Sequence, residues 1–154
     1  MRISRDIGFI VLKLTNNTLC DSIIDCAQKF IQNNPFDQIV LFNSFCDKTD
    51  TGNVPILHLN HAKFFYGKLF VFDLISVLLS QNFTNISKRY LYVTDMPWLD
   101  YPSTPHGEWS QLYMQPNVDI VVSNDKLFDI YKLAWKQPIG ICEDLNYEKI
   151  QHII

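Results

Sequence analysis

The chain of 154 residues has no glycine-rich loop, no apolar run of bilayer length and no excess of positive charge. Each absence closes a class. With five Gly and neither a GxGxxG nor a Walker A pattern, the dinucleotide fingerprint and the P-loop are both missing. The longest apolar stretch, residues 69–79, is interrupted by Asp73, whereas a spanning helix needs about 20 apolar residues. No membrane segment is expected. The opening MRISRD is followed by only six apolar residues before Lys13, with no small-residue cleavage site behind them, and is not read as an export signal. Thirteen Lys and Arg against 16 Asp and Glu leave a net charge of −3. That is the opposite of the basic footprint that nucleic-acid binding needs. Four Cys, none in a CxxC pair, are too few for a disulfide framework, so reduced thiols and a cytoplasmic location are expected. No HExxH, zinc-spaced Cys/His set or GxSxG elbow occurs, and neither metal nor cofactor is expected.

What the chain has is apolar surface. Hydrophobic residues make up 47% and aromatic residues 14%, enough for a large single core. Only three Ala accompany plentiful Ile, Asn, Phe and Lys. That bias matches AT-rich coding and points to a low-GC microbe or its virus.

Residues 7–12 (IGFIVL), 38–42 (QIVLF), 68–72 (KLFVF), 89–94 (RYLYVT) and 119–123 (DIVVS) are short apolar runs rich in β-branched or aromatic residues. Runs of this length with both faces apolar suit strands buried in a parallel sheet. Residues 54–59 (VPILHL) and 138–142 (PIGIC) add two more, the former at an edge because Pro55 cannot donate to a ladder. Between them, Leu19, Ile23, Ala27, Phe30 and Ile31 recur at helical spacing, with cap chemistry at residues 16–18 and a stop at Asn33-Asn34-Pro35. Residues 62–66 read as one helical turn. Asp73 opens a helix through Ser80, with Leu74, Val77, Leu78 and Gln81 on one face. Residues 126–135 form another helix, and Asp144 opens the last. Strands and helices thus alternate, which predicts one α/β domain over 1–154, Rossmann-like and three-layered, with a mostly parallel sheet of six or seven strands and helices on both faces. Ile10, Val40, Leu41, Leu91, Val93, Val121 and Ile141 are the expected core.

Open α/β sheets bind ligands at the carboxyl ends of their strands. Those ends carry Asn16, Ser44, His61, Asp95, Trp98, Ser123 and Asn124, groups that could hydrogen-bond a hydroxylated or heterocyclic ligand. Asn16, Asp73, Asn124 and Asp144 serve equally as helix caps. His58 and His61 are read as ordinary surface or buried side chains rather than metal ligands. The stretch 95–117 reads as a long irregular loop with four of the seven Pro, a length that usually signals function. His106 within it is a general-base candidate by location and equally a solvated loop residue. Trp98, Tyr101, Trp109 and Tyr113 would make either a lid over the strand ends or a hydrophobic plug. Asp95 is either a base or a brace for its own loop.

RYLYVTDMPW, DIVVSND with its following helix, and WKQPIGICEDLNYEKI together resemble the amino-terminal Rossmann-like half of a GT-B-type glycosyltransferase. The resemblance implies an acceptor-side domain, with Asp95 or His106 as base, a nucleotide-sugar or saccharide ligand, and no catalysis without a donor domain. Two other expectations are a non-catalytic α/β protein, microbial or viral, that holds a small ligand or another protein, and a small-molecule enzyme of unrelated chemistry on a Rossmann-like scaffold. His152, Ile153 and Ile154 end the last helix, and their apolar side chains call for cover by the sheet, a second domain or a second copy.

Overall fold

The computed structural model describes residues 5–154; residues 1–4, where the stretch read as no export signal begins, lie outside the described residues. The first four residues of IGFIVL form β1 (Ile7–Ile10), and after a short break Lys13–Leu14 forms β2. Asn17 then caps α1 (Thr18–Asn33), its Oδ1 accepting from the Cys20 amide at 2.9 Å. β3 (Ile39–Asn43) runs directly into β4 (Phe45–Cys46). The Pro55 segment shortens to β5 (Ile56–His58), because a 3-10 turn takes over at Leu59–Phe64. β6 (Gly67–Val71) leads to α2 (Leu74–Ser80), capped by Asp73 as expected.

After β7 (Ile86–Val93) the sequence reading needs correction. The stretch 95–117 is not irregular throughout: it holds α3 (His106–Tyr113), which starts directly behind Pro105. Proline fixes φ and suits a helix start, so the prolines that suggested a loop bound a crossover helix instead. β8 (Val118–Val122), α4 (Asp125–Ala134) and β9 (Gly140–Ile141) follow. α5 (Tyr147–Ile153) is capped by Asn146, whose Oδ1 accepts from the Lys149 amide at 3.1 Å, and not by Asp144.

Seven strands form one sheet in the order β5-β3-β1-β6-β7-β8-β9, and every pair is parallel. β2 and β4 make a separate parallel ribbon beyond β1 and β3. The chain runs outward from β1 to β5, returns to lay β6 against the other side of β1, and then builds outward to β9. This doubly wound topology makes the domain a three-layer α/β fold of Rossmann-like type.

Alternate residues of each strand face opposite layers. Phe9, Leu41, Phe70, Tyr90, Tyr92 and Val121 pack with α1 and α5. Ile10, Val40, Leu69, Leu91, Val93 and Ile120 pack with α2, α3 and α4. Six of the seven expected core residues are buried; Ile141 is only half-buried because β9 is a two-residue edge strand. Ile153 and Ile154 pack against the first of these clusters.

α2 departs from the apolar-inside pattern. Ser76, Val77 and Ser80 face inward, while Leu78, expected to share the buried face, is largely exposed. The cause is Arg89, 2% exposed on β7. Its Nε donates to Ser80 Oγ at 3.2 Å, and its Nη2 donates to the Phe83 carbonyl at 3.0 Å and to that of Ser80. A guanidinium under the end of α2 satisfies the helix's terminal carbonyls, and it leaves room inside only for small side chains.

Candidate functional site

The sheet order separates the residues expected to converge. His61 follows β5 and Asn124 follows β8, five strand spacings away; at about 4.8 Å each that is about 24 Å, beyond one small ligand. Several of the intervening groups are engaged locally. Asn16 is exposed beside the Asn17 cap. Ser44 Oγ donates to the Leu12 carbonyl at 2.7 Å. Asn124 Oδ1 accepts from the Leu127 amide at 3.0 Å, and its Nδ2 reaches Ser123 Oγ at 3.1 Å. Asp73 holds both the amide and the hydroxyl of Ser76, at 2.7 and 2.9 Å.

Of the aromatics in 95–117, Trp98, Trp109 and Tyr113 pack into the helical layer, while Tyr101 is exposed. Trp98 lies in the helical layer, its ring centroid 5.1 Å from that of Tyr131 and 5.5 Å from that of Trp135. Trp109 and Tyr113 are buried beside them. His106 stacks on Trp135 at 4.3 Å, and its Nδ1 pairs with Ser110 Oγ at 3.2 Å. Asp95 is exposed, and the Tyr131 hydroxyl donates to its main-chain carbonyl at 3.1 Å. Partial desolvation, and then the Asp100 carboxylate, raise the Asp95 carboxyl above its ordinary pKa.

A concavity lies elsewhere, among the described residues. A groove of about 380 Å³ runs between α1 and the turn that follows β9, within the size range of small-ligand sites. From α1 it takes Ser22, Asp25, Cys26 and Lys29; from the turn and the start of α5 it takes Glu143, Asp144, Leu145, Asn146, Tyr147 and Lys149. The turn is strained. Asp144 and Leu145 both adopt left-handed backbone, at φ 51° and 52°, a conformation costing about 1–2 kcal/mol per residue outside glycine.

Three contacts hold that strain in place. Tyr92 donates its hydroxyl to the Cys142 carbonyl at 2.9 Å, Cys142 Sγ reaches the Asn146 carbonyl at 3.5 Å, and Leu145 is buried. Burial raises the Tyr92 phenol to about 12, so it donates at every physiological pH. The Cys26 and Cys142 thiols are pushed up to about 12 and about 11, chiefly by burial. Both stay protonated, and a thiol nucleophile has no basis here. Strained backbone clusters at functional positions, and here it coincides with this groove. No sequence signal marked this pair, since neither residue is the Gly or Asn that usually announces such a turn.

Among the described residues, no three His, Cys, Asp or Glu side chains gather as metal ligands, and no helix is long and apolar enough to cross a membrane. The chain is thus a doubly wound α/β fold with a polar groove beside the turn after its last strand. No family model, no curated protein and no solved structure matches the chain.

Proposed function

We propose that the chain is a binding domain for a small polyhydroxylated ligand of saccharide type, held in the groove between α1 and the turn after β9, with no catalysis of its own. This is the role an acceptor-side half of a GT-B-type glycosyltransferase would have. The observation that carries it is the coincidence of the cavity with two consecutive left-handed residues, one of which presents a carboxylate. The lining selects the ligand class. Three carboxylates (Asp25, Glu143, Asp144) outnumber two ammonium groups (Lys29, Lys149), which disfavours phosphates. Tyr147 is buried against Phe30, edge-on at 4.7 Å, so its ring is not free to stack on a base. Carboxylate acceptors interleaved with ammonium, amide and hydroxyl donors match the alternating hydroxyls of a sugar.

The test is a thermal-shift and calorimetric comparison of mono- and oligosaccharides with nucleotides and nucleotide sugars. A ligand at 100 times its Kd adds about 2.7 kcal/mol of stability, an easily read shift. A saccharide response that Asp25→Asn or Asp144→Asn abolishes, with the ligand-free melting temperature little changed, supports the reading. Stabilisation by nucleotides alone, or a saccharide response indifferent to both substitutions, overturns it.

A further inference from the structure

Resting on the saccharide reading of the groove, we infer that its ligand carries a free amino group, and so is a hexosamine in place of a neutral or N-acetylated sugar. Five charged side chains line the groove: Asp25 and Lys29 from α1, Glu143 and Asp144 from the turn, and Lys149 from α5. None of them makes an ion pair among the described residues. Asp25 and Lys29 stand at the i, i+4 spacing that lets opposite charges meet on a helix, yet they do not close to a pair. The groove therefore keeps open charges of both signs and a surplus of one carboxylate, which favours a cationic group on the ligand.

Two observations decide what kind of cation that is. The carboxylates and the Cys26 thiol do not converge as metal ligands among the described residues, so the positive charge belongs to a group carried on something larger than an ion. Cys26 supplies the second. It lines the groove at 2% exposure, and it alone of the four thiols has no hydrogen-bond acceptor among the described residues. Cys20, Cys46 and Cys142 reach the carbonyls of Lys13, Lys48 and Asn146 at 3.7, 3.7 and 3.5 Å. A buried donor left open on a cavity wall calls for an acceptor on the ligand, and a sugar hydroxyl or ring oxygen is one. An alkyl diamine would answer the carboxylates and leave the thiol unmet. A neutral sugar would do the reverse. An ammonium set on a ring of hydroxyls answers both.

Calorimetry on the full chain at low ionic strength tests this with three β-1,4-linked disaccharides that differ only at C2: the glucosamine dimer, its di-N-acetyl form and cellobiose. The glucosamine dimer should bind about tenfold tighter than the other two, the gain from making a neutral hydrogen bond charge-assisted, and added salt should shrink the margin. Glu143→Gln should narrow that ratio by about threefold, and Lys149→Gln should widen it. Opposite signs from two side chains of one groove are not what a merely structural disturbance produces. Equal binding of the three disaccharides overturns the inference and leaves the saccharide reading standing. No binding of any of the three overturns the inference together with the reading beneath it. A preference for the glucosamine dimer that Glu143→Gln leaves intact, or putrescine bound as tightly as that dimer, overturns the inference as well.

Discussion

Arg89 makes no ion pair among the described residues, yet its guanidinium is nearly inaccessible. Burial lowers its pKa, though not enough to neutralise an arginine. The charge is carried instead by the Ser80 hydroxyl and the two carbonyls at the end of α2. Arg89→Met should therefore lose about 2–4 kcal/mol in urea unfolding, because it leaves buried acceptors unpaired. Arg89→Lys should recover little of that, since a point charge cannot reproduce the fork. Asp95 behaves in the opposite sense. Its folded pKa is raised, so the native state is favoured relatively more below the ordinary carboxyl pKa, and this advantage is lost as pH rises through the folded value. At neutral pH the ionised carboxylate is then a small burden on the fold. The side chain is exposed, and solvent screening holds that burden to roughly half a kcal/mol or less. Asp95→Asn should raise the melting temperature slightly at neutral pH, with the difference closing in acid. A clear loss of stability at neutral pH would instead make the residue a brace for its loop.

Among the elements, the strands were legible because each is a short run with both faces apolar, and only a parallel sheet covered on two sides consumes such runs. IGFIVL, QIVLF, KLFVF, RYLYVT and DIVVS all lie on the sheet. The ends of the two edge strands were less legible, since Pro55 and Pro138 trim the ladder. α3 is hard to read because HGEWSQLY lies among prolines and its apolar residues, Trp109, Leu112 and Tyr113, supply only one turn of periodicity. The face of α2 was misjudged for a different reason. Helical periodicity counts side chains and cannot register that Arg89, on the next strand, claims the space beneath the helix. The turn after β9 was hidden in the same way, for its left-handed residues are Asp144 and Leu145. Asp144→Gly should relax it, gaining about 1 kcal/mol in chemical denaturation, and should weaken saccharide binding by removing the carboxylate. A variant that is less stable than the wild type would show that the Asp144 side chain braces the turn.

At the scale of the whole molecule, the sheet has one layer of three helices and one of only two. α1 and α5, with the turn between β9 and α5, cover Phe9, Phe70, Tyr90 and Tyr92, and the two helices meet where Phe30 packs on Tyr147 and Asn34 Nδ2 reaches the Tyr147 hydroxyl at 3.3 Å. One member of this pair precedes most of the sheet in the chain and the other follows all nine strands. During synthesis β1 emerges first but waits for β6 to complete its pairing, and β7, β8 and β9 then add in the order in which they are made. Every strand is therefore available before the layer over Tyr90 and Tyr92 closes, which happens only when α5 leaves the ribosome. Long-range parallel pairing is slow and exposes apolar surface while it proceeds. A chain halted after Ile141 should consequently hold the strands yet bind a hydrophobic dye and associate in sedimentation, while residues 142–154 supplied in the intact chain suppress both. If the shortened chain remains monomeric and dye-free, the last helix is an ornament of the fold and not the element whose arrival ends the vulnerable interval.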